Sequence, residues 1–475
     1  MANIVNQTAA IDMATHEKTD GLRASSIPAS SNGSTTTRPK TEPDFVPRPM
    51  FHMPTHHPVE LEDYFRGPRD VNRHSKWPQF LRMHGSIAPK LIVPLAFLTA
   101  WATLITVIHH LVTSLAMDSV LLTVLGFLVG LALSFRSTTA YERFAEGRRY
   151  WAQLLLNGRN FARIIWVHAH ERHAESEELG KHDLLAKISA LQLVNAFAVA
   201  LKHHLRFEPS TDYPDLAPLL GNLHTFAADA DQTQLHERRI SKLKHIGQFL
   251  GVPMAESNPR KLIKRSKYNL GNTPMEILTY LSAYCECLFE NGTLPIGGLQ
   301  TQLANALFNF TEVLTGTERV VNTPLPVAYS IAIAQITLAY VLMLPFQLIA
   351  KLGWIAIPAT LIAGYIILGL AQIGRELENP FGMDVNDLPL DAFCHELAND
   401  LDAITALAPP IDTSVWMRHL RSKPLWPLSG IEFKAWEHRS VEDIRAALSA
   451  KATSRDVKKE RMATFVQSDH MTNLS

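Results

Sequence analysis

The sequence predicts an all-α integral membrane protein, with four transmembrane helices in two hairpins and a cytoplasmic helical bundle inserted between them. Three observations carry that expectation. Four apolar segments have about the length needed to cross a bilayer. Basic residues crowd the feet of the two hairpins and avoid their tips. The polar region between the hairpins repeats apolar residues at helical spacing, and no run alternates as a strand would.

The first hairpin occupies residues 91–117 and 119–135, and the second 326–349 and 354–373. A hydrocarbon core of about 30 Å takes roughly 20 helical residues. The segment 119–135 is the shortest, and its helix can run on past Phe135. No charged side chain interrupts the four cores; His109 and His110 are the most polar residues in the first. Arg66, Arg69, Arg73, Lys76, Arg82 and Lys90 precede the first span. Arg136, Arg143, Arg148, Arg149, Arg159 and Arg163 follow the second. The turn at Asp118 has no base, and the link in the second hairpin carries only Lys351. The positive-inside rule therefore places both termini and the middle region in the cytoplasm, with both tips outside.

Between the hairpins, residues 137–323 read as cytoplasmic helices. Leu184, Ile188, Leu191, Val194, Phe197 and Leu201 lie on one broad apolar stripe, and Met275 to Phe289 and Leu299 to Val320 read the same way. Phe207 to Lys267 is the most loop-like stretch. Residues 1–60, opening on Ser, Thr, Ala and Asn without the apolar core of a signal peptide, read as a disordered tail. Residues 451–475 read likewise, after a helical extension over 411–450.

Composition bounds the chemistry. The chain has 475 residues, 47% of them hydrophobic and 19% charged. That charge lies below the roughly 25% of soluble domains. A formal net charge of zero gives no pull toward nucleic acid. Three cysteines exclude a disulfide framework. Cys285 and Cys287, two apart, face different sides of a helix and read as idle thiols. The run His168-Ala169-His170-Glu171-Arg172-His173 lacks the spacing of a zinc-binding His-Glu-x-x-His helix and reads as a solvated helix end. With no phosphate loop, nucleophile elbow or dinucleotide-binding glycine pattern, no enzyme is expected, and no metal or cofactor site is assigned.

Inside the second span, Phe127, Leu131 and Phe135 recur every four residues and so share one slowly drifting stripe. Gly126, Gly130 and Ser134 form a neighbouring stripe of small residues, the kind that lets membrane helices pack closely. By pattern alone the apolar stripe fits lipid as well as a pore.

Three further motifs narrow the choice. The first runs from Phe135-Arg136-Ser137-Thr138-Thr139-Ala140-Tyr141-Glu142-Arg143-Phe144 through Glu146-Gly147-Arg148 to Trp151. The second is Glu318-Arg319-Val320-Val321-Asn322-Thr323-Pro324-Leu325-Pro326, entering the third span. The third is Glu378-Asn379-Pro380-Phe381-Gly382, followed by Asn386-Asp387-Leu388-Pro389-Leu390-Asp391. In this order, relative to four spans, they resemble the bestrophins, especially the prokaryotic and fungal branch, over residues 61–410.

The resemblance implies a homopentameric ion channel, with copies of the second helix forming an apolar neck around one central pore. It places Phe127, Leu131 and Phe135 at the neck and Ile296 at a second, cytoplasmic aperture. The ring edges of Phe127 and Phe135 carry partial positive charge, which favours a chloride-type anion. The alternatives are a monovalent cation channel of the bacterial bestrophin type, or a transporter or scaffold without conductance. Animal relatives hold calcium just after their Asn-Pro-Phe-Gly. Here Asn379, Asp384, Asn386 and Asp387 supply too dilute an acid set for a tight site, so they read as weak ligands or, with Asp391, as helix caps. Arg136 reads as an anchor or the partner of Glu142. The expected partners are further copies of the chain, membrane lipids and small ions, and the expected location is the plasma membrane.

Overall fold

The computed structural model describes residues 85–117, 119–229, 270–407, 413–419, 421–426 and 429–450. The expected tails, 1–60 and 451–475, lie outside these residues. Among the described residues the regular structure is entirely helical.

The first helix, α1, spans Ala88–Leu111, with proline in its first turn, where no N–H is needed. At about 36 Å it still crosses a bilayer. It stops short of the expected Met117, however. The Leu115 N–H donates to His109 Nδ1 at 3.0 Å, and the Met117 N–H donates to the Phe346 carbonyl at 3.1 Å. The chain thus leaves the helix early and ties the first hairpin's tip to the second hairpin.

The expected run of the second span past Phe135 reaches its full extent in α2, Ser119–His168, a helix of 50 residues. It runs about 75 Å, more than twice the bilayer core. There is no boundary at Phe135: the second span and the first extramembrane helix are one rod. No proline interrupts it, and its distal half buries an apolar face of its own through Trp151, Leu154, Phe161 and Ile165.

The second hairpin consists of α7 (Val327–Leu352) and α8 (Ala356–Glu376), joined by the 3-10 turn Gly353–Ile355. Gly353 sits at φ +55°, where a residue without Cβ costs least. α7 and α8 pack on each other and on α1 and α2. Two glycines set these approaches. Gly364 admits Leu98 of α1, and Gly126 admits Tyr340 of α7, whose hydroxyl lies 2.9 Å from where a Cβ would stand.

Between the hairpins stand α3 (Glu177–Leu205), the short α4 (Ala217–Leu220), α5 (Thr273–Glu290) and α6 (Gly297–Asn322). After the second hairpin comes α9 (Leu390–Thr405), then the one-turn helices α10 (Thr413–Met417) and α11 (Phe433–Glu437), and helical residues 441–450. The distal half of α2 joins α3, α5, α6 and α9 in a bundle. Phe310 is fully buried at its centre, with ring centroids 5.3 Å from Phe197 and 6.0 Å from Phe161.

By length and apolarity alone α3 would also pass for a membrane span. Its charges assign it to the bundle. Lys187 and Lys202 are buried on it, each paired with carboxylates from other segments, and Ser176 caps its start. Replacing Phe310 with alanine is expected to cost about 3–5 kcal/mol. Thermal unfolding of the purified protein in detergent checks this, and an unshifted midpoint would refute the placement of Phe310.

Candidate functional site

Within the membrane, α2 is packed on one face only. Val129 and Leu133 are buried against Ile333, Tyr340, Ile367 and Ala371 of α7 and α8. The opposite face is bare. Phe127, Leu131 and Phe135 are exposed by 70%, 43% and 58%, so none of the three packs into its own subunit. The small-residue stripe is only partly used inside the subunit. Only Gly126 meets a neighbouring helix; Gly130 looks into open space and Ser134 is exposed. α7 approaches α2 on the Val129–Leu133 side, so most of the small stripe widens the bare face instead of packing the subunit.

Immediately beyond Phe135, the three motifs converge. Arg136 is buried, and its guanidinium lies 3.3 Å from Glu378, not on Glu142. Glu142 is only six residues along the same helix, whereas α8 brings Glu378 directly against Arg136. Arg143 donates to three backbone carbonyls: Glu378 at 3.1 Å, Val320 at 2.6 Å, and Thr323. It thereby ties the exit of α8 and the last turn of α6 to α2. Arg319 of α6 pairs with Glu146 and donates to the Tyr150 hydroxyl. Gly147 lets Phe381 close in, with a ring carbon 2.9 Å from where a Cβ would be.

The loop after α8 continues this junction. Lys90 reaches Glu376 at 2.8 Å and Asp384 at 3.4 Å. Asn386 donates to Glu376 and to the Gly85 carbonyl. Asp387 is buried and accepts from the Asp384 N–H at 2.7 Å. Burial foremost, with Asp384 and Glu376 nearby, pushes the Asp387 carboxyl up to about 7 against the pull of that N–H and of Lys90. Asn379 is exposed beside Gly382. The capping expectation fails: the N-cap of α9 is Pro389, with no side-chain cap. The Asp387 side chain folds back onto its own loop, and Asn386 is engaged with the end of α8 and with Gly85. Asp391 instead binds Lys202 of α3 and Arg206 at that helix's C-cap. Burial would raise the Asp391 carboxyl, but those two cations hold it below the usual carboxylate range.

The His168–His173 run is an ion-pair terminus. Glu171 takes the buried Lys187 at 2.9 Å and His173 at 3.0 Å, and Arg172 forks onto Asp183. Ile296 is half exposed at the residue before α6, flanked by Gly297 and Gly298, which meet nothing. The sequence reading missed Glu378, Glu376 and Lys202 as partners. Their charges were visible, but their pairings join positions far apart in the chain.

Four apolar helices over a charged helical bundle, with one bare apolar face, define a multi-pass integral membrane protein that buries only one face of the membrane half of its longest helix. The chain belongs to the bacterial and fungal bestrophin family, whose model matches residues 69–403. A protein of Nostoc sp. named a voltage-dependent anion channel-forming protein is 32% identical, covering 70% of this chain and 92% of that protein. A Synechocystis protein with the same description is 30% identical, over 69% of this chain and 91% of its own length. A crystal structure of a bacterial bestrophin homologue from Klebsiella pneumoniae shares the fold with a TM-score of 0.50 and 22% identity, over 67% of this chain and all of that one.

The Asp387 carboxyl gives a pH prediction. An unfolded aspartate ionises near 4. Between about pH 4 and 7 the folded chain therefore keeps a proton that the unfolded chain has released, and stability falls as pH rises through that window. Asp387→Asn keeps the acceptor for the Asp384 N–H without the ionisation. The variant should match the parent near pH 4 and melt at a higher temperature at pH 8. Equal midpoints at both pH values would refute the buried ionisation.

Proposed function

We propose that the chain is one subunit of a homo-oligomeric anion channel, with α2 from each copy surrounding a shared pore. The single observation that carries this reading is the bare stripe of Phe127, Leu131 and Phe135 on a helix whose other face is packed. One subunit encloses no axial hole, so the stripe requires further copies to form a neck. The family resemblance supports five copies, and the relatives named as anion channel-forming proteins support anions as the cargo. Chloride is the expected physiological ion.

An apolar neck gates by excluding water. An ion inside it loses hydration with few replacement partners. The positive ring edges of Phe127 and Phe135 lessen that cost for an anion and raise it for a cation. Ile296, before α6, is the proposed second constriction. The junction at Arg136 and Arg143 carries movements of the bundle to the base of the neck. Calcium is not a required ligand in this reading, because the acids are few and Glu376 and Asp384 already share the Lys90 ammonium as a counter-charge. The membrane is the plasma membrane, with the bundle and both termini in the cytoplasm and lipids covering the remaining apolar faces.

Purified protein in a planar bilayer tests the proposal. Unitary currents whose reversal potential follows the chloride gradient are expected; a reversal potential that follows sodium alone would overturn the anion assignment. The triple variant Phe127→Ala, Leu131→Ala, Phe135→Ala should pass current under conditions that keep the parent closed. Unchanged conductance and gating would remove the neck.

A further inference from the structure

The continuity of α2 fixes what lies on the pore stripe below the membrane. A helix repeats its direction after eighteen residues, five turns of 3.6. Arg149 follows Leu131 by eighteen residues, and Arg163 follows Phe127 by thirty-six. If Leu131 and Phe127 face the axis, each arginine leaves α2 in the same direction. Arg149 then stands about 27 Å beyond Leu131, and Arg163 about 54 Å beyond Phe127.

The other arginines of α2 are committed within the subunit. Arg136 pairs with Glu378, Arg143 binds three carbonyls, Arg148 lies over the Phe393 ring at 4.4 Å, and Arg159 pairs with Glu396 and Asp400. Arg149 and Arg163 are exposed, and neither has a carboxylate partner among the described residues. Arg163 has only a 3.3 Å bond to Asn160. One acid shares the stripe. Glu142 is exposed, follows Leu131 by eleven residues, and so points about 20° away from it.

We infer that Arg149 and Arg163 are specificity-determining residues of the permeation path, forming two rings of positive charge along the extramembrane vestibule that concentrate anions below the neck. This rests on the channel reading above. Two bases outweigh the single Glu142 in every subunit, and fixed charges lining a confined passage raise the local concentration of their counter-ions. The rings add no binding pocket. They act through the field, so their effect must fade as salt screens it. The screening length is about 10 Å at 0.1 M and about 3 Å at 1 M.

The test is bilayer recording of the full-length protein as parent, as Arg149→Gln with Arg163→Gln, and as Arg149→Lys with Arg163→Lys. At 0.1 M salt the glutamine pair should carry about half the parent's anion current, or less, when anions enter from the bundle side. At 1 M salt it should match the parent, and the lysine pair should match the parent throughout. A glutamine pair equal to the parent at low salt overturns the inference. So does a loss of the same size at both salts. An independent measurement does not rely on the glutamine pair. Arg149→Cys with Cys287→Ser should change its current when a charged thiosulfonate is applied from the bundle side, and an indifferent current also overturns the inference. A parent that passes no anions removes the channel reading itself, whereas a conducting parent with indifferent variants removes only the two rings.

Discussion

Backbone hydrogen bonding runs through all 50 residues of α2, and this unbroken rod is what the described structure is fastened to. α7 and α8 pack on its membrane half, and α6 and α9 on its distal half. A helix of this length is stiff. It cannot rotate at one end without rotating at the other, so the direction of Phe127 and the burial of Trp151 are one geometric fact. The bundle core around Phe310 thereby sets which way the membrane stripe faces, although the two lie in different solvents.

The fastening just below the membrane relies on arginine because a guanidinium has five donors in a fixed plane. Arg143 satisfies carbonyls from the C-terminal end of α6 and from Glu378, two residues past α8. Those carbonyls sit where a helix end lacks intrahelical partners, close to a medium with little water. A lysine, with one ammonium on a flexible stem, would not hold the three acceptors in the same geometry. The buried Arg136–Glu378 contact adds position more than stability, since removing both charges from water offsets much of their attraction.

Much of this was legible in the sequence. The four apolar segments and the helical stripes from Leu184 to Leu201 and from Leu299 to Val320 need only local periodicity, and each maps onto an observed helix. The unbroken α2 was harder to read, because its apolar run ends at Phe135 while its helical phase does not. The pairings of Arg136 with Glu378 and of Lys202 with Asp391 were not legible at all. Each joins positions about two hundred residues apart, and a nearby opposite charge such as Glu142 always offers a plausible local answer. The small stripe is ambiguous for a related reason: glycine spacing announces that something can come close, without saying whether it is a helix of the same subunit.

The three-residue reversal at Gly353 has a mechanical consequence. With so little slack between them, α7 and α8 cannot slide past each other, and the bond from Met117 to Phe346 tethers the other hairpin to the same pair. A push from α6 on the foot of α7 is therefore relayed as a piston stroke to α8, and so to the loop that grips Arg136, unless α7 yields. α7 is weakest against such a stroke at Pro345, whose ring removes a rung from the helical ladder.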